Sequence, residues 1–507
     1  MSAITQYQYA RFQFPTLFKF GVGSAAYQIE GGSNDDGKTD STWDYQSRTF
    51  PQKFKNGDNA DEACNAYNKI TEDVRNLHAL SVDFYRFSLS WCRILPTGIP
   101  CHINPAGVNY YKKLINELNK NDISAVVTLF HWDLPQSLEA LGGWTNAKTI
   151  DYFVEYARIC FREFGNSVKI WITIDSPNHI AQFGYGDCRH APFMDSDGIG
   201  SYMAAHNMLI AHAKVYRMYY DEFSMQQGSV GIAIDCPWYE PYSTSQEDAD
   251  AAGRMLEMYV GWIAHPIFTE SGDYPLVMRE RIDKNSTAQG FYTSRLPKFT
   301  IEEVNLLRGA TDFFGLNHFG AFYVTHANIG LIPSNDNDTG AHYFVDQQWR
   351  QSARPMQSVL PWGMFNILRW VNEQYGRPLI FITGNGYAGP ANEDEFNDTE
   401  RIAYIIDYLK EVARAITQCN CDISAFTYYP FMDCFEWTDA YTIRSGLYHV
   451  NFKDPNLTRT AKRSAHVYKY VTNTHLLVPR FTDISISADR KLMEQTEPTT
   501  SKAYKID

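Results

Sequence analysis

A chain of 507 residues and 58.1 kDa is long enough for three domains, or for one large α/β barrel carrying insertions. With 44% hydrophobic and 15% aromatic residues it has ample material for a core, which excludes a disordered or fibrous protein. A net charge of −13 argues against nucleic acid and anionic membrane as partners.

In chain order, eight apolar, β-branched runs have the length of strands: 18–28, 82–89, 124–132, 170–177, 230–237, 313–319, 379–386 and 425–433. Most are continuously apolar rather than alternating, as in strands covered on both faces. Between them, apolar spacing near 3.6 predicts helices over 61–80, 105–120, 147–164, 203–223, 362–375 and 399–416, with Asn146 and Asp398 as caps. Strands alternating with helices in this way predict a single (β/α)8 barrel. A doubly wound sheet is the runner-up, but Gly31-Gly32 is not the phosphate-binding glycine pattern it requires after its first strand. The segment 334–351 is polar and irregular and is expected to be a long loop. The barrel is expected to span residues 1–478, followed by a charged tail over 479–507.

The remaining signals are weak. Apolar runs such as Ala125 to Phe130 are strand-sized, so no membrane helix is expected. The start, from Met1 to Tyr9, lacks the apolar stretch of a signal peptide, and the compartment stays open between cytoplasm and a secreted mature form. Nine Cys have no paired spacing, and Cys419 with Cys421 lacks a second ligand pair, so no metal site is expected. Sequons at Asn285, Asn337, Asn397 and Asn456 match the about four that chance would give.

In a barrel of this kind the chemistry sits where strands end. The ends carry Gln28, Arg86, His131-Trp132, Asp175-Ser176, Asn317-His318-Phe319, Gly384-Asn385 and Glu436-Trp437. Amide, imidazole and carboxylate groups hydrogen-bond hydroxyls, and indoles stack on sugar rings, so the ring as a whole suits a sugar-like ligand. Taken singly, a structural role is at least as good an explanation for any of these residues.

Several of these stretches closely resemble glycoside hydrolase family 1, the β-glucosidase and myrosinase family. They include Phe20-Gly21-Val22-Gly23-Ser24-Ala25-Ala26-Tyr27-Gln28-Ile29-Glu30-Gly31, Tyr85-Arg86-Phe87-Ser88 and His131-Trp132-Asp133-Leu134-Pro135-Gln136. Ala264-His265-Pro266-Ile267, Pro361-Trp362-Gly363 and Phe435-Glu436-Trp437 extend the likeness to about residues 18–471. The resemblance implies the same barrel and a retaining mechanism with two carboxyl groups about 5 Å apart.

By that resemblance the acid/base glutamate belongs at Ser176, in Thr173-Ile174-Asp175-Ser176-Pro177. The nucleophile belongs at Gly384, in Ile382-Thr383-Gly384-Asn385-Gly386. Both carboxylates are missing, and the family's Asn before the acid/base is Asp175. Phe319 stands where the family has a tyrosine, Tyr429 where it has a tryptophan platform, and Ser445 where it has an aromatic. Gln28, Arg86, His131, Trp132, Asn317, Glu436 and Trp437 are retained. The expectation is a protein that has lost β-glycoside hydrolysis and binds a glycoside or an apolar, aromatic compound in an enlarged pocket. A repurposed enzyme using Asp175 or Glu436, and a residual β-glucosidase, are the alternatives. No cofactor is expected, and a homodimer is left open. Arg86, without its anionic neighbour, is expected to pair with Asp175 or to hold a ligand anion.

Overall fold

The structure is a computed structural model and describes residues 12–477 apart from 328, 329, 331 and 392–395. Eight parallel strands close into one barrel: β1 (Lys19–Ser24), β2 (Phe84–Ser88), β3 (Ser124–Phe130), β4 (Ile170–Asp175), β5 (Ser229–Asp235), β6 (Phe314–Asn317), β7 (Ile380–Asn385) and β8 (Ile423–Tyr428). Spatial order follows chain order, and β8 pairs with β1 to complete the ring. The expected (β/α)8 barrel is thus the observed fold. The expected tail over 479–507 lies outside the described residues.

Helices wrap the barrel, among them α1 (Ile70–Ala79), α2 (Pro105–Lys120), α3 (Lys148–Phe164), α4 (Gly200–Glu222), α5 (Pro361–Gln374), α6 (Thr399–Gln418) and α7 (Arg463–Thr474). On α3, Ile150, Phe153, Ala157, Phe161 and Phe164 recur every three or four residues and are buried, so this helix docks along one stripe. Burying each large side chain contributes about 1.5–3 kcal/mol. Within the ring, Phe84, Val126, Ile172, Ala233, Phe313, Phe381 and Ala425 form a separate apolar cluster that plugs the barrel. Gly21 has to be glycine, because a Cβ there would lie 2.2 Å from the Phe84 ring.

Three boundaries differ from expectation. The first strand stops at Ser24, and a helical turn, Ala26–Ile29, carries Tyr27 and Gln28. That turn is fixed by the Ala26 N–H donating to Ser88 Oγ at 2.7 Å. The helix expected over 61–80 begins only at Ile70, because Ala63 and Asn65 hold left-handed backbone that interrupts a helix. The segment 334–351 is not a plain loop. Asn335–Thr339 is helical, capped by Ser334 Oγ accepting from the Asn337 N–H, and Ala341–Phe344 is a strand. That strand joins Ala321–His326 and Trp238–Pro241 in a small sheet. Its anchor is the buried pair of Arg295 with Asp338, at 2.6 Å, a long-range contact that local polarity gives no hint of.

Candidate active site

The C-terminal ends of the strands surround a continuous cavity of about 530 Å³. Arg86 enters from β2, His131 and Trp132 from beyond β3, and Asp175 and Ser176 from the end of β4. Asn317 comes from β6, Phe319 from just after it and Gly384 from β7. Tyr429, Glu436, Trp437 and Ser445 follow β8. Of the strand-end residues expected at the site, Gln28, His318 and Asn385 do not line the cavity. For Gln28 the reason is visible. Its Nε2 donates to the Phe435 carbonyl at 2.9 Å, and its Oε1 accepts from the Tyr429 hydroxyl at 2.5 Å. The helical turn after β1 draws it behind Tyr429, so the expectation that Gln28 faces the ligand is corrected.

The floor is a closed polar network. Arg86 is buried and pairs directly with Asp175 through Nη2. Its other donors reach the Thr383 carbonyl at 2.6 Å and Thr128 Oγ1 at 3.3 Å. Burial brings the guanidinium down to about 10, so it keeps its charge at neutral pH. Asp175 Oδ1 accepts from Ser176 Oγ at 2.7 Å and from Asn317 Nδ2 at 3.0 Å. Asn317 Nδ2 also donates to Ser176 Oγ, and its Oδ1 accepts from Thr383 Oγ1 at 2.8 Å. The carboxylate expected to compensate Arg86 therefore does so, as one member of a buried ion pair.

Gly384 is not a simple vacancy in this floor. A Cβ built there would lie 2.8 Å from Asn317 Oδ1 and 3.2 Å from Phe319 Cζ. Real Cβ atoms do not approach so closely, and Asn317 is tied at both ends of its amide. Asn317 and Phe319 therefore lie close over the glycine, which lines the cavity together with Ser176 and Ser445.

Trp132, Ser176 and Trp437 hold left-handed backbone, with φ of 75°, 49° and 56°. Such conformations cost about 1–3 kcal/mol each and cluster where a binding site dictates side-chain direction. At Ser176 the strand breaks into the short helix Pro177–Tyr185, with proline at its first position. Trp437 stacks on Tyr27 at 6.2 Å and packs against Trp43 and Trp132, forming an aromatic wall. His131 lies beside it, with Nε2 3.8 Å from Asp175 Oδ1. Burial and then the Arg86 charge hold its imidazole well below the usual range, so it is neutral.

Some cavity residues were not anticipated. Arg354 reaches in from the long segment between β6 and β7. It donates through Nη2 to Glu436 at 2.7 Å and lies 3.5 Å from Asp439. Nothing local in the sequence marks it, since the contact spans 82 positions. Asp235 ends β5, where the strand-end rule could have found it. Its Oδ2 accepts from the Tyr259 hydroxyl at 2.9 Å and lies 3.6 Å from His179 Nδ1. Among the described residues no group of His, Cys, Asp and Glu is arranged to hold a metal ion.

A closed parallel barrel with a strained, aromatic-walled pocket at its C-terminal mouth defines a barrel of the glycosidase kind. The glycosyl hydrolase family 1 profile matches residues 10–476, and the chain belongs to that family. It is 40% identical over 468 residues to "Myrosinase 1" of Brevicoryne brassicae, covering 91% of this chain and 99% of that protein. To the "Cytosolic beta-glucosidase" of Homo sapiens it is 36% identical over 473 residues, covering 91% and 99%. Among solved structures, an aphid myrosinase superposes with a TM-score of 0.87 at 39% identity, covering 91% of this chain and 99% of that one. A rice β-glucosidase gives 0.85 at 36% identity, covering 90% and 98%.

Proposed function

We propose that this family 1 barrel has given up retaining β-glycoside hydrolysis and keeps the former active site as a small-molecule binding pocket. The observation that carries this is the absence of a free carboxyl pair. Retaining hydrolysis needs one carboxyl group as acid/base and one as nucleophile. The positions that the resemblance assigns to them hold a hydroxyl, at Ser176, and no side chain, at Gly384. The carboxylates that do line the floor are engaged. Asp175 is held by Arg86, Ser176 and Asn317, and Glu436 by Arg354. Loss of a general acid alone costs a factor of about 10² to 10⁴, and loss of the nucleophile removes the covalent route as well.

The test is turnover of a nitrophenyl β-glucoside at high protein concentration, with and without a glucosidase inhibitor. The expected result is no inhibitor-sensitive hydrolysis. Efficient turnover that the inhibitor abolishes would sink the proposal.

A further inference from the structure

Resting on that reading, we infer that the pocket takes a flat, apolar ring compound, uncharged or cationic, rather than a sugar. Three of the polar groups that the resemblance assigns to sugar binding, Gln28, Asn317 and Glu436, are already engaged inside the protein, while His131 keeps a buried Nδ1 without a partner among the described residues. Gln28 uses both ends of its amide, Asn317 likewise, and the Glu436 carboxylate takes the Arg354 guanidinium. A hexose carries several hydroxyls, each of which needs a partner on burial. Supplying them means breaking pairs already made, at about 1–3 kcal/mol for each buried group left unsatisfied.

The outer wall points the same way. Phe183, Tyr239, Met258, Tyr259, Phe319 and Phe322 line it, presenting ring faces and a pliable thioether to a flat apolar guest. A cavity of about 530 Å³ falls inside the roughly 300–1,000 Å³ range of drug-sized ligand sites. Charge narrows the class further. Five carboxylates line the cavity (Asp175, Asp235, Asp336, Glu436 and Asp439) against three guanidiniums (Arg86, Arg189 and Arg354). Arg86 and Arg354 are both paired with lining acids, so the cavity opposes an anion. Asp235 uses Oδ2 for the Tyr259 hydroxyl and the approach of His179, which leaves Oδ1 as the polar anchor for a ligand N–H or O–H.

Two fluorescent dyes make the test. Phenylnaphthylamine is uncharged, and anilinonaphthalene sulfonate carries the same rings with an anionic group. The full chain should bind phenylnaphthylamine at one site with enhanced emission. The sulfonate should bind at least about tenfold more weakly, because its charge enters a net negative cavity. Millimolar glucose should not displace the dye. Phe319→Asp and Phe322→Asp, both at partly exposed positions, should each weaken the dye about tenfold while the protein still melts cooperatively. Displacement by glucose, equal affinity for the sulfonate, or unchanged dye binding in both folded variants would overturn the inference. Glucoside turnover with glucose-resistant dye binding would overturn the loss of hydrolysis alone. Glucose displacement without turnover would overturn the ligand class alone.

Discussion

Arg86 and Asp175 occupy the floor as a pair, and their energetics follow from burial. Each is almost fully enclosed, so removing one partner leaves an uncompensated charge that water cannot reach. Asp175→Ala should therefore cost about 3–5 kcal/mol in urea unfolding, and Arg86→Met a similar amount. The double variant should recover a large part of that loss, because no charge is then stranded. Additive losses in the double-mutant cycle would show that the two side chains act independently. Gly384 supports a second expectation. Ser176→Glu with Gly384→Glu places carboxyls at the two positions that the resemblance assigns to the catalytic pair, yet the new Cβ at 384 must displace Asn317 from its bonds. Such overpacking costs about 1–3 kcal/mol, and Phe319, Tyr429 and Ser445, which the resemblance marks as departures, stay in place around the site. The restored double variant should melt lower than the parent and hydrolyse a nitrophenyl glucoside far more slowly than an ordinary β-glucosidase does. Family-level turnover would refute this.

At the scale of elements, the segment between β6 and β7 separates this pocket from an open bowl. It builds the small sheet with Ala321–His326 and Ala341–Phe344, and then sends Arg354 across to Glu436 and Asp439, beyond β8. The contact joins two loops, and it occupies a carboxylate that the resemblance assigns to sugar hydroxyls. Arg354→Ala should lower the melting temperature while the chain still folds, since the buried Glu436 loses its cation but the Arg354 side chain itself is partly exposed. It should also free Glu436 as an acceptor. Glucose should then raise the melting temperature of the variant but not of the parent. An identical glucose response in both proteins would show that Arg354 does not guard the acceptor.

For the whole molecule, acid sensitivity is built into the helix–barrel interface. His206, His212 and His318 are buried, and desolvation lowers their imidazoles to about 4, about 3 and about 4. They stay neutral in the fold, whereas in the unfolded chain they protonate below about 6.5. Between about pH 4 and 6.5 these three imidazoles therefore bind more protons in the unfolded chain, and their contribution to stability falls as pH drops. Asp133 and Glu139, raised by burial to about 8 and about 7, act in the opposite direction. One pKa unit is worth about 1.4 kcal/mol, so over that window three such imidazoles set a loss of about 10 kcal/mol as the upper limit. Urea midpoints should fall between pH 7 and pH 4.5, and His318→Gln should flatten part of that slope. A midpoint independent of pH over this window would contradict the burial argument.

Much of the architecture was legible in the sequence because it rests on short-range periodicity. Continuous apolar runs such as Val126–Val127 in β3 report burial on both faces, and 3.6-residue stripes such as that of α3 report a helix lying on the sheet. The identity of the strand-end residues also pointed to the pocket, since a barrel gathers those ends at one mouth whatever the loops do. What only the tertiary structure decided is which polar groups still face the cavity. Gln28 lies in the matching motif, yet Tyr429, about 400 residues later, engages its amide behind the cavity wall. Glu436 is retained, yet Arg354 covers it from another loop. Asp175 stands next to Ser176 in the chain, but its partner Arg86 is 89 residues away. Hydrogen bonds and ion pairs act over about 3 Å in space, without regard to separation along the chain. Residue type and spacing therefore located the site, and the folded chain decided which of its groups were left to meet a ligand.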